Sequence, residues 1–254
     1  MIKLRFPDFI IAGAPRSGTT WLYHLLDRHP EINVAKPLNP EPKFFLVDEL
    51  YCKGLEYYAR TWFFNVPDGK ICGEKSTNYM EDARVADRIH KHLPNLKLIF
   101  ILREPADRAF SNYFWSRMNG LEHEDFETAL ALEVQREKEL PERFRYSRPH
   151  AYFSRGLYAN MLLPYFKLFH RDQIICLKYE DIIEKSKTLA AKLHDFLGVH
   201  QYPESAEGLG LINPSNKEGH VFPSAVRKKL LDAYAGPNRR LSKLLGAEFL
   251  IWET

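Results

Sequence analysis

Residues 13–20 read GAPRSGTT, a glycine-bounded loop that constrains what the rest of the chain can build around it. An apolar run, FIIA at 9–12, precedes it, and Trp21, Leu22, Leu25 and Leu26 follow at the spacing of an amphipathic helix. The order strand, loop, helix is the opening of a parallel α/β unit. The pattern G-x-x-x-x-G-T-T keeps the frame of an ATP- or GTP-binding loop, which ends in G-K-[ST], but lacks its lysine. Backbone N–H groups at a helix N-terminus, reinforced by the helix dipole, form an anion site that needs no side chain. The missing lysine therefore changes which anion is bound.

Further strand-like runs fall at 71–73, 96–102 and 173–177. Helical patterns occupy 19–27, 82–92, 105–118, 156–169 and 187–196, with two more beginning at Pro223 and Pro237, where proline suits a first helical turn. Strands alternating with helices imply parallel pairing and right-handed crossovers. The expected architecture is a P-loop-like three-layer α/β fold, a central and mostly parallel sheet flanked by helices, with ligands at the carboxyl ends of the strands. A length of 254 residues is read as one domain spanning 1–254. Two segments, proline-rich 36–45 and Gly/Asn/Ser-rich 209–222, are loops of the length that borders a site.

A net charge of +3 is too weak to argue for a nucleic-acid partner and is compatible with an anionic ligand. The three cysteines, Cys52, Cys72 and Cys176, are widely spaced and odd in number, and read as reduced core residues. No apolar stretch has the length of a membrane span, and the first strand begins too early to leave room for a signal peptide, so the expected location is the cytoplasm. His90 and His92 lack a cysteine or carboxylate partner at ligand spacing, and no metal site is expected.

A second constellation, LREPADRAFSNYFWSR at 102–117, ends an apolar strand in Arg103 and starts a helix at Pro105. Ser111 lies about two turns into that helix. A kinase would want an aspartate here to hold magnesium, whereas arginine's planar fork suits a phosphate directly. Two readings stand side by side: Arg103 binds an anion together with Ser111, or it pairs with Glu104 or Asp107 on the surface. Asp107 and Arg108 are expected to cap and brace the helix start. Tyr113, Phe114 and Trp115 on the same helix read as core, and the run 133–145 as a solvated charged helix.

Together these segments resemble the nucleotide-dependent sulfotransferases, in particular the branch of heparan sulfate N- and O-sulfotransferases and their bacterial relatives. The resemblance runs from Phe9 to about Trp252 through five motifs in the family's order: the loop region FIIAGAPRSGTTWLYHLLDRHPEI, EPKFF at 41–45, GEKSTNY at 73–79, LREPADRAFSNY at 102–113 and RGLY at 155–158. It implies an enzyme that uses 3′-phosphoadenosine 5′-phosphosulfate (PAPS), moves its sulfuryl group to a hydroxyl or amine, and releases adenosine 3′,5′-bisphosphate without a metal. It gives Arg16, Ser17, Gly18, Thr19 and Thr20 to the 5′-phosphosulfate, and Arg103 with Ser111 to the 3′-phosphate. Tyr158 falls where the family places a cleft residue opening a helix, and Arg155 contacts cofactor or acceptor.

The resemblance also accounts for the loop. A transferring sulfuryl group carries less negative charge than a phosphoryl group, so loop N–H groups and one basic side chain suffice. Arg16 stands where many relatives carry lysine; it stabilises leaving-group charge and is a poor proton donor. Glu41, two positions before the aromatic pair of EPKFF, matches the family's general base, with Glu31 and Glu74 as rival carboxylates. Lys75 matches a lysine near the transferring group, with Ser76, Asn78 and Tyr79 beside the acceptor cleft.

Near the C-terminus the likeness thins. A basic loop that closes over the 3′-phosphate in relatives corresponds to NKEGHVFP at 216–223, where Lys217 and His220 supply the positive charge and the relatives' arginine is absent. The implied acceptor is a small molecule or, for this branch, a saccharide; phenol or tyrosyl acceptors are the alternative. A P-loop kinase, with Asp181 as its nearest acidic metal ligand, and a non-catalytic nucleotide binder rank behind. Nothing in the sequence fixes an oligomeric state.

Overall fold

The computed structural model describes residues 4–210 and 221–246 together with Phe249 and Trp252. It divides into two compact units: residues 1–102 with 164–212, and residues 103–163 with 213–254.

The first unit carries the sheet. Its strands are β1 (Phe9–Gly13), β2 (Ile32–Val34), β3 (Ile71–Lys75), β4 (Lys97–Leu102) and β5 (Ile174–Lys178). All pair in parallel in the order β2-β3-β1-β4-β5. Every residue of β1 is buried, as are all but the first of β4, because a parallel strand covered on both faces needs an unbroken apolar run. With β1 between β3 and β4, chain order reverses there, and the carboxyl ends of these strands form the crevice in which such sheets bind ligands.

The helices of this unit are α1 (Thr19–Asp27), α2 (Asp48–Tyr51), α3 (Gly54–Trp62), α4 (Ala83–His92), α8 (Glu180–Glu184) and α9 (Ser186–Leu197), with the end of α7 (Tyr158–Leu168). Phe9, Ile11, Ile99, Ile101 and Leu177 meet Leu22 and Leu25 of α1 and Leu189, Leu193 and Leu197 of α9 in one continuous core. Each such side chain removed from water stabilises by roughly 1.5–3 kcal/mol. Phe100 alternates to the other sheet face, where the Tyr165 ring of α7 meets it edge-on at 5.1 Å.

The second unit holds α5 (Pro105–Met118), α6 (Phe126–Lys138), the first turns of α7, and α10 (Ser224–Leu245). Ala106, Phe110, Tyr113 and Phe114 of α5 pack with Phe126, Tyr152, Val226, Leu230 and Tyr234. The expected pair of C-terminal helices is one 22-residue helix with Pro237 inside it. Buried Val226, Leu230, Tyr234, Leu241 and Leu245 lie on one continuous face, and this packing outweighs the ladder bond that proline removes.

Two other expectations change. The cap of α5 is Glu104, whose carboxylate accepts from the N–H groups of Ala106 at 3.0 Å and Asp107 at 2.8 Å. Arg108 instead points inward, fully buried, and donates to the Tyr152 carbonyl. Cys72 is buried in β3, whereas Cys52 is exposed where α2 ends and Cys176 is half-buried; none of the three forms a disulfide. Among the described residues no helix is long and apolar enough to cross a membrane.

Candidate active site

The loop after β1 enters α1 through Gly18, whose φ of 92° is left-handed. A Cβ there would lie 2.5 Å from the Ile182 Cδ1, so both conformation and space call for glycine. No side chain caps α1, which leaves the first-turn N–H groups facing outward from the helix end. Ser17 is fully buried, and its hydroxyl has no hydrogen-bond partner among the described residues. A buried hydroxyl and an uncapped nine-residue helix fit an anionic group at this loop. The Ala14 N–H, at the loop's start, binds the Ile101 carbonyl at 2.9 Å and ties the loop to β4.

Lys75 ends β3 and is paired in register with Ile11, two residues before the loop. Its ammonium forms an ion pair with the Glu41 carboxylate, and both side chains are nearly closed to solvent, 5% and 11% exposed. Thr77 donates to the same carboxylate through its N–H at 3.2 Å and its hydroxyl at 3.3 Å. The structure therefore brings Glu41 and Lys75 together at the carboxyl end of the sheet, with Thr77 as a holding residue the sequence did not single out.

Beside this pair Glu74 is fully enclosed. Tyr58 and Tyr79 donate to its Oε1 at 2.7 and 3.1 Å, and Ser76 donates to its Oε2 at 2.7 Å. Burial pushes its carboxyl up to about 7; the three hydroxyl donors pull it down, and the nearby Glu41 charge adds to the rise. Glu31, the other rival carboxylate, precedes β2 at the amino end of the sheet and pairs with His200 at 2.5 Å.

In the second unit Arg103 stands just before the α5 cap, and the Tyr158 hydroxyl donates to its carbonyl at 2.8 Å. Ser111 is buried on α5. Arg155 is also buried, donating to the Asn112 side chain at 3.4 Å and the Ser147 carbonyl at 2.8 Å. Gly156 of the same motif has no room for a Cβ, which would meet the Tyr234 hydroxyl at 2.5 Å. The run 133–145 is not uniformly solvated: Glu133 is buried, and its carboxylate accepts from the N–H groups of Phe153 at 2.6 Å and Ser154 at 2.9 Å. That contact caps the turn carrying Arg155, a role no local pattern marks. Lys217 and His220 lie outside the described residues.

The sulfotransferase domain family matches residues 6–209. Human heparan sulfate glucosamine 3-O-sulfotransferase 6 is 28% identical over 269 residues, covering 97% of this chain and 74% of its own length. The membrane-associated sulfotransferase kil1 of Dictyostelium discoideum is 24% identical, covering 97% of this chain and 66% of its own. Among solved structures, a sulfotransferase from Alicyclobacillus acidocaldarius superposes with a TM-score of 0.82 at 25% identity, covering 98% of this chain and all of that one. A parallel sheet with an anion loop at its crevice, motifs in family order and a family match over most of the chain lead to one conclusion: the chain belongs to the PAPS-dependent sulfotransferase family.

Proposed function

We propose that the chain transfers the sulfuryl group of PAPS to a hydroxyl or amine of a carbohydrate acceptor, by in-line displacement with no metal. The observation that carries the reading is the Glu41 carboxylate held by Lys75 and Thr77 at the carboxyl end of β3, the strand paired with the one that feeds the loop. PAPS supplies an electrophilic sulfur and a phosphate leaving group. The first-turn N–H groups, with Arg16, Ser17, Gly18, Thr19 and Thr20, bind the phosphosulfate oxygens, and Arg16 offsets charge that grows on the leaving phosphate. Arg103 and Ser111 bind the 3′-phosphate, and Tyr158 steadies Arg103 through its carbonyl.

Glu41 takes the acceptor proton as the acceptor oxygen or nitrogen bonds to sulfur and the bond from sulfur to the 5′-phosphate oxygen breaks. The products are the sulfated acceptor, adenosine 3′,5′-bisphosphate and a proton passed through Glu41. Lys75 holds the Glu41 carboxylate in place and lies where it offsets negative charge near the transferring group. The carbohydrate acceptor is supported by the heparan sulfate relatives. Three cysteines outside any disulfide are in keeping with a reducing, cytoplasmic compartment.

Incubation with labelled PAPS and a panel of heparan-type saccharides, simple phenols and tyrosyl peptides tests the reading. Label on a saccharide supports it. Label only on phenols or tyrosine overturns the acceptor class, and no label transfer with intact nucleotide binding points to a non-catalytic binder.

A further inference from the structure

Glu74 has no part in the reaction just described, yet its carboxylate organises the segment that carries Glu41. Tyr58, on α3, and Ser76 and Tyr79, just after β3, each commit their single hydroxyl proton to it. Two of these oxygens then work as acceptors on their other side. Ser76 Oγ accepts the Lys43 N–H at 2.9 Å, and Tyr79 Oη accepts the Phe45 N–H at 3.1 Å. Between these anchors the Phe44 ring stacks on Tyr58 at 4.5 Å. Residues 43–45 stand two to four positions after Glu41 and enter the turn at 44–46, so the segment is clamped at two backbone positions by hydroxyls that all point to one acid.

We propose that Glu74 is a positioning residue for Glu41: as an acceptor-only carboxylate it sets the proton direction of Tyr58, Ser76 and Tyr79, and so locks the EPKFF segment and the base it carries. The proposal rests on Glu41 being the base. An amide in place of Glu74 presents an N–H donor on one side, which turns a neighbouring hydroxyl around or strands its proton, and the clamp on Lys43 or Phe45 weakens.

The test compares Glu74→Gln, Ser76→Ala, Tyr79→Phe and the Glu74→Gln/Ser76→Ala double variant, reading kcat, KM for the acceptor, affinity for adenosine 3′,5′-bisphosphate and thermal stability. A displaced base lowers kcat about 10- to 100-fold, the scale of a misplacement on the order of 1 Å. Nucleotide affinity stays within about twofold, since the loop after β1 is untouched. The double variant should be no slower than the slower single variant, because both changes break one network. Full kcat in folded Glu74→Gln, Ser76→Ala and Tyr79→Phe, with only melting temperature lowered, overturns the proposal. If Glu74→Gln does not fold, the Ser76 and Tyr79 variants decide alone. Glu41→Gln, run alongside, separates the two claims: an active Glu41→Gln removes Glu41 as base, whereas an inactive Glu41→Gln beside fully active Glu74, Ser76 and Tyr79 variants removes only the role of Glu74.

Discussion

The Lys75 ammonium and the Glu41 carboxylate form an ion pair at the carboxyl end of β3, nearly out of contact with water. Removing one partner of a buried pair leaves the other charged and uncompensated, which costs about 3 kcal/mol in comparable settings. Lys75→Met is therefore expected to lower the unfolding free energy by about that amount and to reduce transfer as well. Denaturant unfolding beside steady-state kinetics reads both. A variant of unchanged stability would show that the pair does not persist in solution.

The buried Glu74 makes stability and catalysis run in opposite directions with pH. Its carboxyl is raised to about 7 in the folded protein by burial and by the charge of Glu41, with Tyr58 and Tyr79 as its other titratable neighbours. A raised acid binds its proton more tightly when folded, so its contribution to stability is complete below the unfolded value of about 4.3 and is lost as pH rises through about 7. The loss is on the order of 3 kcal/mol. Glu74→Gln should flatten that decline, so the stability difference between variant and wild type shifts in the variant's favour as pH rises from about 5 to 8 when melting is followed across the range. The clamp on Glu41 uses the ionised form, so wild-type kcat should rise as pH passes about 7. A rise that survives unchanged in Glu74→Gln would assign it to another group.

Arg103 is predicted to recognise the 3′-phosphate. Arg103→Ala should weaken adenosine 3′,5′-bisphosphate binding about 10- to 100-fold, the scale of hydrogen bonds to a charged group, and leave 5′-AMP binding almost unchanged. Tyr158→Phe, which removes the hydroxyl bonded to the Arg103 carbonyl at 2.8 Å, should move the same preference less. Calorimetry with both nucleotides reads it, and equal loss for the two would remove the assignment.

Gly18 joins two demands, a left-handed backbone and no room for a Cβ. Gly18→Ala should destabilise by roughly 1–2 kcal/mol from the backbone alone and by more once the Ile182 contact is counted. Nucleotide affinity should fall with it, because the first-turn N–H groups move with the loop; an alanine variant that binds normally would show that the loop adapts.

Much of this layout was legible in the chain because its signals are local. The unbroken apolar runs of β1 and β4 mark the sheet centre, and the glycine-bounded loop at 13–20 follows β1 directly and leads into α1. What escaped depends on tertiary partners. The β2 strand is only three residues long, too short for a period to show. Two proline-led helices merged into α10 because a buried face runs through Pro237, which a proline rule applied locally does not see. Glu104 took the cap expected of Asp107, since the cap follows the residue before Pro105. The Glu74 network draws on residues 58, 74, 76 and 79 and reaches the backbone at 43 and 45, so no spacing rule exposes it. Glu41 was visible through family resemblance; its contact with Lys75 became visible only in the fold.

The most direct test of the account is the transfer rate of Glu41→Gln with labelled PAPS and a saccharide acceptor, measured beside its affinity for adenosine 3′,5′-bisphosphate. The amide keeps the shape and loses the base, so transfer should fall by about 100-fold or more while nucleotide affinity stays within about twofold. A Glu41→Gln enzyme that transfers sulfate at the wild-type rate would contradict the central claim.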